Sequence, residues 1–478
     1  MEAFECSTSA SAWSREEFGT TDFGDKRLTK RIVFMGASMA QSPAGKATEV
    51  FQTSADLEAA YRFVRNERVT VQAITESTCA AMLQRTAGEP FVYVAVDGSS
   101  LTLSDYPRAK NFGAIGSYAK GARGVKVMAA LGVSVDGVVM GMSSFQFWTR
   151  TQKKKKNVPN SWLGLKDLEL RYWWRAIVET TERFDKTKEA PRAWFQLDRE
   201  GDATPLLQAA SRSGHYFTAR ANSKRRIKSD SKQAKYVYDE LAHPSARKGS
   251  YMLEVSGNHE RTARSARMTI YAAPVQLLLR DKRSHYTIEE LPVYAVYVRE
   301  SSDVPAGEER IEWLLYTNYP VTTLEDLALV VHGYAQRWRV EEFFRTWKTT
   351  GCDVESTQLH STERVTIWAT MLAAVSTRIE RMKQLARTQP NAPATIEFTE
   401  LEVEVLVFLK RKRKKKNEII PDDPTIEQAV LWTAELGGYT GKSSGGPPGS
   451  VTIRRGLERI TIAAEAVELL RSSGKRCD

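Results

Sequence analysis

The sequence predicts an α/β protein: a mixed sheet covered by helices, interrupted by an antiparallel sheet and flanked by helical regions at both ends. Three observations carry that expectation. Two apolar runs, FVYVAVD and AWFQLD, each end on an acid and alternate with helical stretches, as the buried strands of an α/β domain do. From about residue 223 to residue 323 this rhythm gives way to a series of strand-like runs, SYMLEVSG, RMTIYAAPV, LPVYAVYV and IEWLLYTN. Within residues 1–75 and again within 386–478 the pattern is helical.

Taken in order, the first 75 residues place bases at helical spacing: Arg27, Lys30 and Arg31 in FGDKRLTKRI, then Arg62, Arg65 and Arg68 in YRFVRNERV. They make either a solvated helix face or a surface for a polyanion. FVYVAVD reads as a buried strand, followed by Gly98 and two serines. VKVMAALGVSVDGVVMGMSSFQFW reads as two strands with Asp136-Gly137 at the hairpin turn. A basic loop holding Lys153 to Lys156 leads to a helix through WLGLKDLELRYWWRAIVETTERF, the strand AWFQLD, the helix ATPLLQAASR and the strand HYFTARA. After the antiparallel stretch, one long helix is expected from near Leu324 through LALVVHGYAQRWRVEEFFRTWK. Helices through TIWATMLAAVSTRIERM and TELEVEVLVFLK follow. A basic run from Lys410 to Lys416, another helix, the glycine-rich hook GGYTGKSSGGPPGS and a closing helix end the chain.

Composition narrows the function. Among 478 residues, 69 are Lys or Arg and 58 are Asp or Glu, a net charge of +11 that favours a polyanionic partner. A hydrophobic share of 42% allows sizeable cores and argues against global disorder. Cys6, Cys79, Cys352 and Cys477 stand far apart without a CxxC pair, which excludes a disulfide scaffold and a thiolate zinc site and suits a reducing cytoplasm. The histidines form no HxxxH or HExxH pair, and no GxxxxGKS or GxxxxGKT loop is present to hold a nucleoside triphosphate. No apolar run reaches the ~18 residues of a membrane helix. The start, MEAFECSTSASAW, lacks the pattern of a signal peptide.

The chemistry is expected at three acids. Asp97 and Asp198 each follow an apolar strand, at the carboxyl end where α/β proteins place their sites, although an Asp there also serves as a turn starter or helix N-cap. Tyr334, Arg337, Glu341 and Lys348 fall within roughly a 60° arc of one face if the helix is continuous. The flanking Trp338, Val340, Phe343, Phe344 and Trp347 are bulky, so the helix is expected to be packed and its polar stripe to face a crevice. Three separated carboxylates in a basic domain suit Mg²⁺ or Mn²⁺, and hence phosphodiester chemistry with two ions about 3.5–4 Å apart.

These residues resemble a known family. YAQRWRVEEFFRTWK is similar to the Y-x2-R-x3-E-x6-K motif of DDE transposases of the insertion-sequence-four family. FGDKRLTKR, AAYRFVRN, VDGSS, LDREGD and LGGYTGKSSGGPPG agree with it in order, so the resemblance covers nearly the whole chain. The family pattern at the second acid is D-R-E-A-D, and Gly201 stands here in place of its Ala.

The resemblance implies a ribonuclease-H-like catalytic domain at 76–385 with the β insertion at about 223–323. It also implies a DNA-binding domain at 1–75 and a dimerisation domain at 386–478. It makes Asp97, Asp198 and Glu341 the ligands of two Mg²⁺ ions, with Mn²⁺ as a substitute. Tyr334, Arg337 and Lys348 would hold DNA phosphates near the cut, Arg220 would be a further DNA contact, and Trp313 would accommodate a flipped base. Arg27, Arg31 and Arg62 are the expected contacts to the transposon end. The implied activity is cut-and-paste transposition through a DNA hairpin, with strand transfer into target DNA. The implied assembly is a monomer in solution and a homodimer on end DNA, in a bacterial cytoplasm at the nucleoid. The alternatives are a metal-dependent nuclease without strand transfer and a non-catalytic DNA-binding regulator derived from a transposase. The intact acidic triad counts against the regulator.

Overall fold

The computed structural model describes residues 8–105, 110, 112–116, 121–150, 165–222, 224–229, 235–255, 257, 261–280, 288–414, 418–441 and 446–472. The run 153–156, the last two bases of the run 410–416, and residues 442–445 of the glycine-rich hook lie outside these. The chain opens with α1 (Ser9–Phe18), α2 (Lys26–Gln41), α3 (Ala47–Val50), α4 (Ser54–Val64) and α5 (Val71–Arg85). Strands β1 (Phe91–Thr102), β2 (Gly113–Ala114), β3 (Arg123–Val133) and β4 (Val139–Trp148) follow. Next come α6 (Leu170–Lys186), β5 (Arg192–Leu197), α7 (Thr204–Arg212), β6 (Tyr216–Arg220), β7 (Ile227–Lys228) and α8 (Val237–Leu241). The antiparallel stretch is β8 (Arg247–Val255), β9 (Arg264–Arg280), β10 (Ile288–Glu300) and β11 (Glu312–Thr317). The remainder is α9 (Leu324–Gln336), α10 (Arg339–Arg345), a π-helical turn (Thr346–Thr350), α11 (Thr362–Thr388), α12 (Glu400–Lys412), α13 (Ile426–Leu436) and α14 (Ser450–Ser472). No helix among the described residues is long and apolar enough to cross a membrane.

Local sequence explains most boundaries. Thr8, Asp25, Thr53 and Thr70 cap α1, α2, α4 and α5 by accepting a backbone N–H of the first turn. Asp136-Gly137 makes the β3–β4 turn, with Gly137 at φ 86° and Ser134 N bonded to Val138 O at 2.8 Å.

The chain divides into two units: Met1–Glu89, Gly98–Lys153 and Arg339–Asp478 form the first, Pro90–Asp97 and Lys154–Trp338 the second. In the first unit, α5 and α11 pack on the β3–β4 hairpin. The edge of Trp347 meets Phe145 with ring centres 5.3 Å apart, fixing the turn after α10 to the same hairpin. Leu385, Phe398, Leu406, Trp432 and Leu457 build a core shared by the end of α11 with α12, α13 and α14. In the second unit the first half of β1 runs parallel to β5, and β5 parallel to β6. β11, β10 and β9 then add antiparallel, and both β7 and β8 pair with β9. The mixed α/β sheet agrees with the sequence expectation, whereas the antiparallel stretch, expected as an inserted sheet, joins that same sheet through the β11–β6 pairing.

The expected single helix from Leu324 to Lys348 is broken. Arg337 N bonds to Tyr334 O at 3.1 Å and Trp338 N to Ala335 O at 3.2 Å, so the chain tightens to three-residue spacing before α10 begins, and the helix then widens into the π turn. The four polar residues therefore do not lie on one continuous α-helical stripe. Val340, Phe343, Phe344 and Trp347 are buried as expected, but Trp338, at the break, is 54% exposed.

Candidate active site

Strand periodicity and register bring the two aspartates together. Val96 on β1 sits opposite Leu197 on β5, so Asp97 and Asp198 stand at the same level on neighbouring strands. Asp198 follows the end of β5, whereas Asp97, expected past the end of its strand, lies within β1 (Phe91–Thr102), just beyond the last parallel pair with β5. Side chains alternate along a strand, which puts Tyr93, Ala95 and Asp97 on one face and Trp194, Gln196 and Asp198 on that same face of the neighbour. Helix α9 packs there. Tyr93 Oη donates to Leu329 O at 3.1 Å, and Gly333 comes so close that a Cβ would stand 2.3 Å from the Tyr93 ring. The last turn of α9 and the residue that caps it deliver Tyr334 and Arg337 to the level of Asp97.

Arg337 Nη1 donates to Asp97 Oδ2 at 2.9 Å, with the two side chains 12% and 18% exposed. Tyr334 is buried near Arg337 and Arg220; burial holds its hydroxyl above the usual tyrosine range, against the pull of the two guanidiniums. Trp313 meets Tyr334 edge to face at 5.3 Å between ring centres. Arg220, opposite Leu315 in the β6–β11 pairing, donates from Nη2 to Glu312 O at 3.2 Å. In the second unit, then, Asp97, Arg337, Tyr334, Arg220 and Trp313 form one chain of contacts, and Asp198 stands beside Asp97 in register.

Asp198 also caps a short turn. Its Oδ1 accepts from Glu200 N at 2.7 Å and from Gly201 N at 3.3 Å, leaving the second carboxylate oxygen out of the cap. The turn packs so tightly on Leu197 that a Cβ on Gly201 would lie 2.4 Å from the Leu197 Cβ, a physical reason for glycine where the family pattern has alanine.

Glu341 and Lys348 belong to the first unit, Glu341 in the first turn of α10 and Lys348 on the π turn, both partly exposed. Lys348 Nζ lies 5.9 Å from the centre of the Phe344 ring. Burial lowers its pKa from the ordinary lysine range, and Glu355 opposes that shift. Among the described residues, no group of three or more His, Cys, Asp and Glu side chains stands close enough to ligate one metal ion. The donor chemistry of Asp97 and Asp198, hard carboxylate oxygens at one level on neighbouring strands, fits Mg²⁺ or Mn²⁺, and one of those oxygens carries Arg337.

The expected N-terminal contacts are on the surface with carboxylate neighbours. Arg27 pairs with Asp25 at 2.9 Å, Arg31 with Asp56 at 3.6 Å and Arg62 with Glu58 at 3.6 Å. Sequence reasoning missed Asp202. Buried, it accepts from Asn222 N at 2.8 Å and Arg225 Nε at 2.5 Å, pinning the loop that leaves Arg220. LDREGD displays that acid, but its partners, 20 and 23 residues on, share no periodicity with it.

Residues 10–69 match the transposase DNA-binding family, and residues 175–378 match the transposase DDE domain family. The first match includes Arg27, Arg31 and Arg62. The second includes Asp198, Arg220, Trp313, Tyr334, Arg337, Glu341 and Lys348, and begins after Asp97.

Proposed function

We propose that this chain is a cut-and-paste DNA transposase of the insertion-sequence-four group, nearest in its motif YAQRWRVEEFFRTWK to the transposon-five type. Both family matches support a DNA transposase with a DNA-binding segment and a DDE domain. The observation that carries the catalytic reading is register: two aspartates at one level on adjacent parallel strands, with Arg337, Tyr334, Arg220 and Trp313 gathered beside the first. Asp97, Asp198 and Glu341 would hold two Mg²⁺ ions, or Mn²⁺ in their place, and these would supply Lewis-acid stabilisation of the charge on the reacting phosphate.

The chain's own side chains position the DNA. Arg220, Arg337 and Lys348 neutralise phosphates on either side of the cut, the two arginines by paired N–H donors. Trp313 offers a ring face to an extruded base, a contact worth about 1–3 kcal/mol. Water attacks the phosphodiester at the transposon end, and the departing 3′-oxygen takes up a proton to become a hydroxyl. That hydroxyl attacks the opposite strand and closes a hairpin. A second water reopens the hairpin, and the freed 3′-hydroxyls attack target DNA. The N-terminal helices read the transposon end, and two copies pair on it through the C-terminal helices, in the cytoplasm at the nucleoid. An assay with a pre-cut end, a plasmid target and Mg²⁺ or Mn²⁺ tests this: joined products are expected. Cutting without joining would make the protein a nuclease, and binding alone would make it a regulator.

A further inference from the structure

Arg337 and Asp97 have separate tasks in the reading above, one on a DNA phosphate and one on a metal, yet they are bonded to each other at 2.9 Å. With side chains only 12% and 18% exposed, the pair is screened little by salt and is costly to break. Tyr334 is buried near the same guanidinium, and the Trp338 ring centre lies 5.9 Å from it, so Arg337 is flanked on several sides. A guanidinium stays protonated across the accessible pH range, so raising the pH does not open the pair. Exchange does: an anion for Arg337 together with a cation for Asp97.

We propose that Arg337 fills the cation position of Asp97 in the free protein, and that a DNA phosphate draws it away, so that a divalent cation binds Asp97 tightly only once DNA is in place. The proposal rests on the reading of Asp97 as a metal ligand. Linkage makes the effect reciprocal: DNA strengthens metal binding by the same factor by which metal strengthens DNA binding. The site would thus be loaded in order, DNA first.

The test is Mn²⁺ titration of the full-length protein, followed by the paramagnetic resonance signal of the free ion. Arg337→Gln should bind Mn²⁺ about tenfold more tightly than wild type without DNA, a usual size for coupling between two sites. That gain should vanish in Arg337→Gln/Asp97→Asn. A saturating short DNA duplex should tighten Mn²⁺ binding to wild type but not to Arg337→Gln. Thermal melting checks the fold, with Arg337→Met as the substitute should Arg337→Gln fail to fold. Unchanged or weaker Mn²⁺ affinity in the Arg337 variant overturns the exchange, as does a gain that persists in the double variant. If Asp97→Asn alone binds Mn²⁺ as tightly as wild type with the duplex present, the metal-ligand reading fails instead.

Discussion

At Asp198 the oxygen that caps a turn and the charge that suits a cation belong to the same carboxylate, and the two roles respond differently to substitution. Asn caps as well as Asp, whereas Ala does not cap, at a cost of about 1 kcal/mol. Asp198→Asn should therefore unfold in urea as wild type does and fail to nick end DNA. Asp198→Ala should lose both nicking and about 1 kcal/mol of stability. An Asp198→Asn protein that nicks at the wild-type rate would remove this residue from the metal site. Lys348 supplies a pH signature. Burial holds its pKa down, so the folded protein releases that proton at a lower pH than the unfolded chain. Across the interval between the two values this group's contribution to stability rises with pH, while the positive charge it could offer a phosphate falls. Arginine stays charged throughout. Fluorescence anisotropy at constant salt should show wild type losing DNA affinity on the alkaline side before Lys348→Arg does; coincident profiles would refute a phosphate role for Lys348.

Helix α9 lies against the sheet because Gly333 offers no side chain to the Tyr93 ring. A methyl group 2.3 Å from that ring must push the helix outward. Gly333→Ala is expected to cost about 1–3 kcal/mol in chemical denaturation. It should also slow cleavage, because Tyr334 and Arg337 move with the helix; wild-type stability would mean that α9 is not seated there. What the sequence shows at this scale depends on whether a feature is periodic. Asp198 after β5 was legible because an apolar run that stops on an acid already carries the strand period; the same sign put Asp97 on β1 but gave no hint that the strand continues to Thr102. The break at Arg337 and Trp338 was not, since neither proline nor glycine marks it and the residues from Leu324 to Lys348 read as one helix. The Asp202–Arg225 clasp was equally hidden, because only the folded chain brings the loop after β6 against the turn after β5.

Across the whole molecule, the net charge of +11 predicts salt-sensitive DNA binding, with Arg27, Arg31 and Arg62 already paired to carboxylates that phosphates can replace. Deleting the N-terminal helices is a poor way to test this. Ser9 N donates to Glu402 at 3.1 Å, Gln41 to Glu465 at 3.0 Å and Arg454 to Pro43 O at 3.0 Å, so those helices are built into the same unit as α12 and α14. Changing the three arginines to Gln leaves that packing alone. Each lost phosphate contact should flatten the plot of log affinity against log salt by about 0.9. An unaltered slope would move the DNA-binding surface elsewhere. The C-terminal helices carry the second expectation. Phe408, Ile462 and Leu469 are 55%, 62% and 62% exposed, apolar surface that a second copy would cover. Light scattering should find a monomer in free solution and a dimer on end DNA, and Leu469→Lys should leave one protein per end; pairing undisturbed by that change would place the dimer contact on another surface.

The cap at Asp198 has a consequence for how this gene decays. A copy released from the need to cut DNA keeps its fold with either Asp or Asn at 198, since both close the turn, but still resists Ala. Folding alone therefore cannot preserve the acid, and drift to the amide is free. On the proposed reading of Asp198 as a metal ligand, an asparagine at this position in an otherwise sound silenced copy would date the loss of cutting to before the loss of folding. A surviving aspartate beside scattered core damage would record the opposite order.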